Sequence, residues 1–313
     1  KSLHFCLIFF KIVLLKKDKV KIMETYTLAN GVAIPKIGFG TWQIPEGEEA
    51  YNSVSFALKA GYTHIDTAQI YGNEVSVGKA IADSDMARED IFLTTKLWND
   101  KHDYDLAKAS IDESLERLGV DYLDLLLIHW PNPKALREND AWKAGNTGAW
   151  KAMEEAYKDG KARAIGVSNF QAGRFFDFVN FADTKPMVNQ LQCNTLAQQK
   201  DIQPFLAETG TKTMAWGPLG GQGADGIVKS ELLASIGQKY GKSAAQVALR
   251  WLIQRGIVAI PKSSHIERMK QNFDIFDFSL TNDDMAQIET MNQSDTGFRN
   301  YTDPQYIKHV IGF

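Results

Sequence analysis

Four titratable side chains in the first half of this chain each stand at or just past the end of an apolar stretch typical of a buried strand. They are Asp66 in HID, Tyr71 five residues later, Lys96 in FLTTK and His129 in LLLIH. A phenol can give or take a proton, and a nearby ammonium favours the phenolate and so lowers the phenol pKa. A carboxylate can hold that ammonium in place. The residue types therefore predict general acid–base chemistry at one edge of a sheet.

The elements that must position these side chains alternate between strand-like and helix-like segments. Eight such units follow an N-terminal hairpin. The strands lack clean period-two alternation, as expected when both faces of a parallel sheet are buried. We therefore predict an α/β fold, a (β/α)8 TIM barrel with an N-terminal β-hairpin cap and extra C-terminal helices. Glycines are predicted to end several helices: Gly61, Gly119, Gly160, Gly210, Gly241 and Gly256.

An open doubly wound sheet is the alternative, and it requires a glycine fingerprint after the first strand. The segment 38–42 (GFGTW) lacks the third glycine and opens no immediate helix, which argues against it. Local signals add three expectations. The pair Asn30-Gly31 predicts a type I′ turn. Asn73 is predicted to be a helix N-cap, with Glu74 in the first turn of that helix. Thr281 and Asp284 are predicted to form a capping box.

Composition sets the broad class. The chain has 313 residues and a net charge of −3, with no basic face that would predict nucleic-acid binding. Two cysteines, Cys6 and Cys193, cannot form a disulfide framework, which favours a reduced, cytoplasmic protein. The six histidines show no ligand spacing, so we expect no metal.

The first 22 residues differ from the rest because they are apolar and basic. Lys11 interrupts their apolar run, which is too short for a membrane span and lacks the small-residue cleavage site of a signal peptide. We interpret residues 1–22 as a non-native or upstream-translated extension and residues 23–313 as one barrel domain. A membrane or partner anchor is the alternative interpretation of this segment.

Seven motifs occur in order along the chain and fall mostly on predicted strand ends. They are GFGTW, HIDTAQIYGNEVSVG, TTKLW, LDLLLIHWP, AIGVSNF, AWGPLG and IPKSS. Over residues 24–300 the chain resembles the aldo-keto reductases, with AWGPLG closest to the bacterial 2,5-diketo-D-gluconate reductase branch. The resemblance implies a cytoplasmic, monomeric oxidoreductase of the CH–OH/carbonyl class that binds NADPH without a Rossmann domain. It would reduce small carbonyl compounds, keto-sugars or 2-oxoaldehydes, with no nucleic-acid or membrane partner.

The resemblance also assigns roles to the tetrad, which comprises Asp66, Tyr71, Lys96 and His129. Reducing a carbonyl group needs a hydride donor and a proton for the developing alkoxide. Tyr71 would supply that proton, with Lys96 lowering its pKa and Asp66 balancing the lysine charge. His129, in its neutral form, would orient the carbonyl oxygen.

The same resemblance implies a set of cofactor-binding residues on the later strands and loops. Trp216 would stack on the nicotinamide, the polar residues 168, 169 and 190 would hold its carboxamide, and the small residues 217–221 would fold over the pyrophosphate. The full set is Thr41, Trp42, Ser168, Asn169, Gln190, Trp216, Gly217, Leu219, Gly221, Lys262, Ser263, Ser264, Arg268, Gln271 and Asn272.

Residues 262–272 are expected to bind the adenosine end of the cofactor. Ser264 and Glu267 have capping-box spacing, so the 2′-phosphate would sit at a helix N-terminus. Lys262 and Arg268 would supply positive charge, which favours NADPH over NADH. A solvated basic helix start would give the same pattern.

Trp42, Trp98 and Trp130 are expected to line the substrate mouth together with His129. The segment 131–148 is interpreted as a loop that could close over this mouth and supply Trp142. The sixth strand departs from the family pattern after the retained glutamine, where NQLQCNTLAQQ replaces the usual acidic residue, histidine–proline pair and tyrosine.

The sequence leaves two other hypotheses about function open. The first is a non-catalytic, NADPH-binding member of the same fold, such as a channel β subunit or a lens structural protein. It would be favoured by loss of a tetrad residue, and all four are present. The second is a barrel lyase or isomerase that handles phosphate. The GPLGGQG segment partly fits such an enzyme, but the lysine–tyrosine couple has no use there.

Overall fold

The structure is a computed structural model that describes residues 23–131, 141–220 and 225–293. The extension 1–22, Cys6, Gly221 and the tail after residue 293 lie outside the described residues. The described chain opens with an antiparallel hairpin of β1 (Thr25–Thr27) and β2 (Ala33–Pro35), as predicted. The Asn30 amide donates to the carbonyl oxygen of Arg163, which precedes a barrel strand, so the hairpin covers the amino ends of the strands.

The hairpin turn is not type I′, because that turn needs positive φ at both central residues. Gly31 has φ 87°, whereas Asn30 is not among the described non-glycine residues with positive φ. The chain instead forms a wider loop in which the Leu28 amide donates to the Val32 carbonyl at 2.8 Å. The Asn30 side chain accepts from the Val32 amide at 3.2 Å, and this local bond replaces the expected turn geometry.

Eight parallel strands follow, each paired with the next in chain order. They are β3 (Phe39–Gly40), β4 (His64–Asp66), β5 (Phe92–Leu97), β6 (Leu125–Ile128), β7 (Ile165–Ser168), β8 (Val188–Gln192), β9 (Lys212–Trp216) and β10 (Val258–Ile260). The Gly38 amide donates to Ala259 O, and the Ala259 amide donates to Lys36 O, at 2.9 and 3.0 Å. These bonds join the first and last strands and close the sheet into the predicted (β/α)8 barrel.

Burial explains why the strands do not alternate. All four residues of β6 and all six of β5 are buried, because one face fills the barrel interior and the other packs under helices. Gly166 in β7 shows how closely neighbouring strands pack. A Cβ atom there would lie 2.4 Å from the Val188 carbonyl oxygen.

Helices surround the barrel. In the described residues they are α1 (Glu48–Ala60), α2 (Glu74–Ala82), α3 (Tyr104–Leu118), α4 (Ala141–Lys158), α5 (Ala172–Phe181), α6 (Gln203–Glu208), α7 (Asp225–Val228), α8 (Glu231–Gln238), α9 (Ala244–Gln254), α10 (Ile266–Phe273) and α11 (Asn282–Glu289). The glycines predicted to end helices all adopt positive φ. The capping box of Thr281 and Asp284 at the start of α11 is confirmed.

Asn73 is the N-cap residue of α2 and Glu74 lies in its first turn, as predicted, but the Asn73 side chain makes no capping hydrogen bond. Its amide donates to the carbonyl oxygens of Thr41 and Ile44, and its oxygen accepts from the Thr67 hydroxyl at 2.8 Å. Asn73 therefore ties together the loops after β3 and β4, close to Asp66. Among the described residues, no helix is long and apolar enough to cross a bilayer.

Candidate active site

Lys96 lies at the centre of the candidate site, near the end of β5, and its side chain is 0% exposed. Its Nζ donates to Asp66 Oδ1 at 2.6 Å and to the Thr67 carbonyl oxygen at 2.8 Å, and lies 3.5 Å from the Tyr71 hydroxyl. An ammonium has three N–H donors, so these three acceptors match its protonated form. Burial lowers the pKa of Lys96, and the Asp66 carboxylate opposes that shift.

Asp66 ends β4 and uses both carboxylate oxygens. Its Oδ2 accepts from the Gln190 amide at 2.7 Å, which links β4 to β8 across the barrel. Gln190, predicted to hold a nicotinamide carboxamide, thus points its nitrogen at Asp66. Thr41, predicted to contact the cofactor, is fully buried, and its hydroxyl donates to the Asp66 carbonyl oxygen at 3.1 Å.

Tyr71 lies on a short 3-10 turn, Gln69–Tyr71, between β4 and α2. Its half-buried ring packs against Trp42 and His129, with centroid distances of 4.9 and 5.7 Å. The phenol, the ammonium and the imidazole therefore meet at the carboxyl ends of β4, β5 and β6, where barrel chemistry is found.

Burial raises the pKa of the Tyr71 phenol well above its ordinary value, and the negative charge of Asp66 acts in the same direction. The net shift is therefore upward, although the nearby Lys96 ammonium favours the phenolate. Asp66 lies 2.6 Å from the ammonium and offsets its positive charge. Tyr71 is accordingly a neutral phenol at pH 7.

His129 directly follows β6. Burial lowers the pKa of its imidazole well below the usual value, and the Lys96 charge adds to the effect, so the ring is neutral at pH 7. The Trp98 ring packs on it at 5.1 Å. Of the tryptophans predicted to line the mouth, Trp42 is 51% exposed and Trp98 is partly exposed, whereas Trp130 is only 8% exposed.

The predicted closing loop is partly wrong. Residues 132–140 lie outside the described residues, but α4 already begins at Ala141 and continues through residue 148. Trp142 is 1% exposed within α4, and the Arg174 guanidinium lies 4.1 Å from its ring. Helix packing thus fixes Trp142. On another side of α4, a glycine at position 148 permits close approach to α3, since a Cβ atom there would lie 3.0 Å from the Tyr104 amide nitrogen.

Beyond the tetrad, four predicted cofactor residues form a polar cluster at the ends of β7, β8 and β9. The Asn169 amide donates to the Ser168 hydroxyl at 3.1 Å, and its oxygen accepts from Trp216 Nε1 at 2.9 Å. Ser168 donates to the Gln190 carbonyl oxygen at 2.9 Å. Asn169 has φ 65°, an uncommon left-handed conformation, which fits a functional site held by its surroundings. Buried amide groups beside the partly exposed Trp216 ring fit a planar carboxamide.

Gly217 and Leu219 follow β9, and Gly217 adopts φ 57° in the turn that leaves the strand. The Asn194 amide donates to the Gly217 carbonyl oxygen at 3.1 Å and fixes this turn. Gly221, the third residue predicted for the pyrophosphate loop, lies outside the described residues.

The predicted capping box of Ser264 and Glu267 is wrong. Helix α10 begins at Ile266, its N-cap residue is His265, and no side chain caps it. The buried Ser263 hydroxyl instead accepts from the His265 amide at 3.0 Å in the loop before the helix. The first turn of α10 therefore keeps amide groups that an anion can accept from.

The positive charges of this region lie around that helix start. Lys262, Ser264, Arg268 and Gln271 are exposed, while Asn272 is buried. Basic side chains beside an uncapped helix N-terminus fit a phosphate group.

Two residues near Tyr71 carry contacts that sequence reasoning missed. The sequence predicts no role for Gln69, and the structure shows it bonded to α3 and to the Trp98 backbone. Glu74 was predicted only as a first-turn acid. It is buried and accepts from the Thr95 hydroxyl at 2.6 Å and from Arg117 Nε at 2.7 Å. Their place between the carboxylate and the start of α2 was the only sequence signal.

Fold and site together define a class: a (β/α)8 barrel with a buried lysine–aspartate pair, a tyrosine and a neutral histidine at the carboxyl ends of its strands. The chain belongs to the aldo/keto reductase family, whose sequence profile matches residues 36–293. It is accordingly an oxidoreductase of a family that reduces carbonyl groups and generally uses NADH or NADPH.

Individual relatives agree with the family assignment. The chain is 43% identical over 274 residues to a glyoxal reductase of Bacillus subtilis (strain 168), covering 88% of this chain and 95% of that protein. It is 42% identical over 267 residues to a 9,11-endoperoxide prostaglandin H2 reductase of Trypanosoma cruzi (strain CL Brener), covering 85% and 91%. A crystal structure of an aldo/keto reductase from Brucella melitensis superposes with a TM-score of 0.80 at 42% identity, covering 86% of this chain and all of that one.

Proposed function

We propose that this protein reduces small aldehydes and ketones to alcohols with NADPH, and that Tyr71 donates the proton. The observation that carries the proposal is the Lys96 ammonium, fully buried and held between Asp66 and the Tyr71 hydroxyl. The balanced reaction joins a carbonyl, a hydride and a proton into an alcohol. The nicotinamide supplies the hydride when bound, and the protein supplies the proton.

The raised pKa of Tyr71 favours the reductive direction. Burial and Asp66 keep the phenol protonated at neutral pH, which is the form needed to protonate an alkoxide. An alkoxide is a stronger base than a phenolate, so the proton moves downhill. Lys96, 3.5 Å away, stabilises the phenolate left behind, and Asp66 keeps the lysine in place.

His129 would orient the substrate. Its neutral imidazole offers one N–H donor, and its ring packs beside the phenol at the same edge of the barrel. A donor beside the proton source can hold the carbonyl oxygen in line with it. The exposed Trp42 and the partly exposed Trp98 would form the apolar walls of the mouth.

For the cofactor, the cluster of residues 168, 169, 190 and 216 would hold the nicotinamide, and Lys262, Ser263 and Arg268 the 2′-phosphate. Support comes from the buried amide groups at the first site and from the uncapped start of α10 at the second. Two positive side chains at that helix favour NADPH over NADH.

Among substrates, 2-oxoaldehydes are the first class to test, because the Bacillus relative is named a glyoxal reductase. The test mixes the purified protein with NADPH or NADH and with a panel of 2-oxoaldehydes, simple aldehydes, diketones and keto-sugars. Nicotinamide absorbance reports turnover, and tryptophan fluorescence reports dinucleotide binding through Trp216. Turnover with NADPH supports the proposal; binding without any turnover would favour the non-catalytic alternative.

The Tyr71→Phe variant tests the proton donor directly. We expect kcat to fall by about 10²–10⁴-fold with dinucleotide binding nearly unchanged, because only the hydroxyl is removed. Tyr51→Phe is the matched control, since Tyr51 lies on α1 and bonds to Asp83 away from the site. Retained activity in Tyr71→Phe would refute the assigned role.

A further inference from the structure

The turn that carries Tyr71 is short of apolar anchoring. The Tyr71 hydroxyl is enclosed beside Lys96, but each of the three residues Gln69–Tyr71 keeps part of its surface exposed. A cavity of 330 Å³ flanks the turn, and Gln69, Ile70 and Trp98 form part of its wall. Apart from the Tyr71 ring, which packs against Trp42 and His129, the turn has little close packing, yet it must hold the phenol near Lys96 to within a fraction of an ångström.

Gln69 supplies a polar anchor instead. Its amide nitrogen lies 2.5 Å from the Ser110 hydroxyl, 3.1 Å from the Ser110 carbonyl oxygen and 3.0 Å from the Ser114 hydroxyl. Both serines lie on α3 and are buried. Its side-chain oxygen accepts from the Trp98 amide at 2.9 Å. One side chain thus ties the turn to a helix and to the residue that follows β5.

These bonds connect two parts of the site that are separate in the chain. Tyr71 stands two residues after Gln69 on the same turn, and the ring of Trp98 packs on His129 at 5.1 Å. A shift of the Gln69 side chain would therefore move the phenol and a wall of the mouth together. Loss of a polar contact that sets such geometry affects the rate more than the affinity for the dinucleotide.

We infer that Gln69 is a positioning residue: by bonding to Ser110, Ser114 and the Trp98 amide, it sets the Tyr71 hydroxyl against Lys96 and fixes Trp98 beside His129. The inference rests on the function proposed above. Gln69 itself touches neither the reacting atoms nor the cofactor.

The test is Gln69→Met, which keeps the length of the side chain and removes its hydrogen bonds. We expect kcat for a 2-oxoaldehyde to fall about tenfold with the Kd for NADPH unchanged. Gln238→Met is the matched control, because Gln238 is exposed on α8. An unchanged kcat, or an equal loss of dinucleotide binding, would overturn the inference.

A double-mutant cycle with Ser110→Ala asks whether Gln69 acts through α3. We expect the double variant to be no slower than Gln69→Met alone, since both changes break one connection. Losses that simply multiply would show that the two side chains act independently, against the inference.

A readout independent of turnover separates this inference from the proposed function. Tyrosine labelled with ¹³C at Cζ reports each phenol by NMR, and Tyr71→Phe identifies the Tyr71 signal. We expect that signal to shift in Gln69→Met and to stay in place in Gln238→Met. If the wild-type protein reduces no carbonyl, the proposed function fails, and the NMR signal still decides whether Gln69 positions Tyr71. An unchanged Tyr71 signal in Gln69→Met would contradict the inference.

Discussion

Two buried aspartates at opposite ends of the barrel show how surroundings decide what a carboxylate does. Asp124 lies just ahead of β6, at the amino ends of the strands. It accepts from Arg88 at 2.9 Å, from Arg163 at 2.7 Å and from the Leu93 amide at 2.9 Å. Its negative charge is matched from several sides, and no group next to it is arranged for proton transfer in the described residues.

Asp66, at the carboxyl end of β4, is equally buried but sits among reactive groups. Its cation, Lys96, is 0% exposed, whereas the arginines that bind Asp124 are 21% and 45% exposed. Charge that is kept from water acts strongly on its neighbours. The comparison teaches that the amino-end carboxylate supports the fold, while the carboxyl-end carboxylate controls a lysine beside a phenol.

The largest expected effect is on Asp66→Asn. Asparagine cannot balance the buried ammonium, so the pKa of Lys96 falls further and the phenolate loses its stabilising charge. We expect kcat/KM for carbonyl reduction to fall about 10³-fold, in steady-state kinetics corrected for the folded fraction by circular dichroism. A loss below about tenfold would contradict the catalytic role that distinguishes Asp66 from Asp124.

The matching change at the other end, Asp124→Asn, should act on stability. It weakens the bonds to two arginines that remain partly solvated, so the free energy of unfolding should drop by about 1–3 kcal/mol in urea titrations. We expect kcat per folded molecule to stay unchanged. A fall in kcat comparable to that of Asp66→Asn would show that the two ends are not separate in function.

A smaller effect distinguishes the arginines of the two ends. Arg268→Ala should weaken the binding of NADPH about tenfold and the binding of NADH much less, because only NADPH carries the 2′-phosphate. Arg163→Ala, which removes a partner of Asp124, should change neither affinity. Fluorescence titrations with both dinucleotides measure this, and equal weakening of NADPH and NADH by Arg268→Ala would contradict a 2′-phosphate site.

The smallest effect concerns His64, two residues before Asp66 in β4. Burial, aided by the Lys96 charge, lowers the pKa of His64 from 6.5 to about 3. Below pH 6.5 the unfolded chain binds a proton there that the folded chain does not, so stability falls as the pH falls. Between pH 6.5 and 5.5 the loss from this one group is about 1 kcal/mol.

The measurement compares urea unfolding of the wild type and His64→Gln at both pH values. The variant cannot titrate at this position, so the wild type should lose about 1 kcal/mol more than the variant over that interval. Parallel losses in the two proteins would show that His64 does not carry this dependence.

Much of the fold was predictable because its signals are local. Apolar runs, glycines after helices and the Thr281 capping box depend on residues close together in the chain, and each was found as predicted. The same holds for the gathering of the tetrad. Parallel strands end at one edge of a barrel, so polar residues at those ends must meet. Their catalytic roles stay predictions.

The predictions of side-chain capping bonds at two helix starts were wrong for a different reason. At Asn73 and Ser264 the local sequence suits a cap, but in the structure neither side chain caps its helix. Asn73 instead bonds to the loop after β3, more than 25 residues earlier in the chain. Local spacing cannot show such a competition for the same side chain.

By itself, the sequence determined the eight strand–helix units, the family, and which four side chains stand at the strand ends. Only the tertiary structure decided their electrostatics. The pKa of Tyr71 rises because burial and Asp66 outweigh the lysine, and Asp66 is tied to Gln190, 124 residues away in the chain. Burial and charge depend on distances in space, which the sequence does not encode. The alternation of strand and helix segments along the chain, by contrast, directly predicts a parallel sheet.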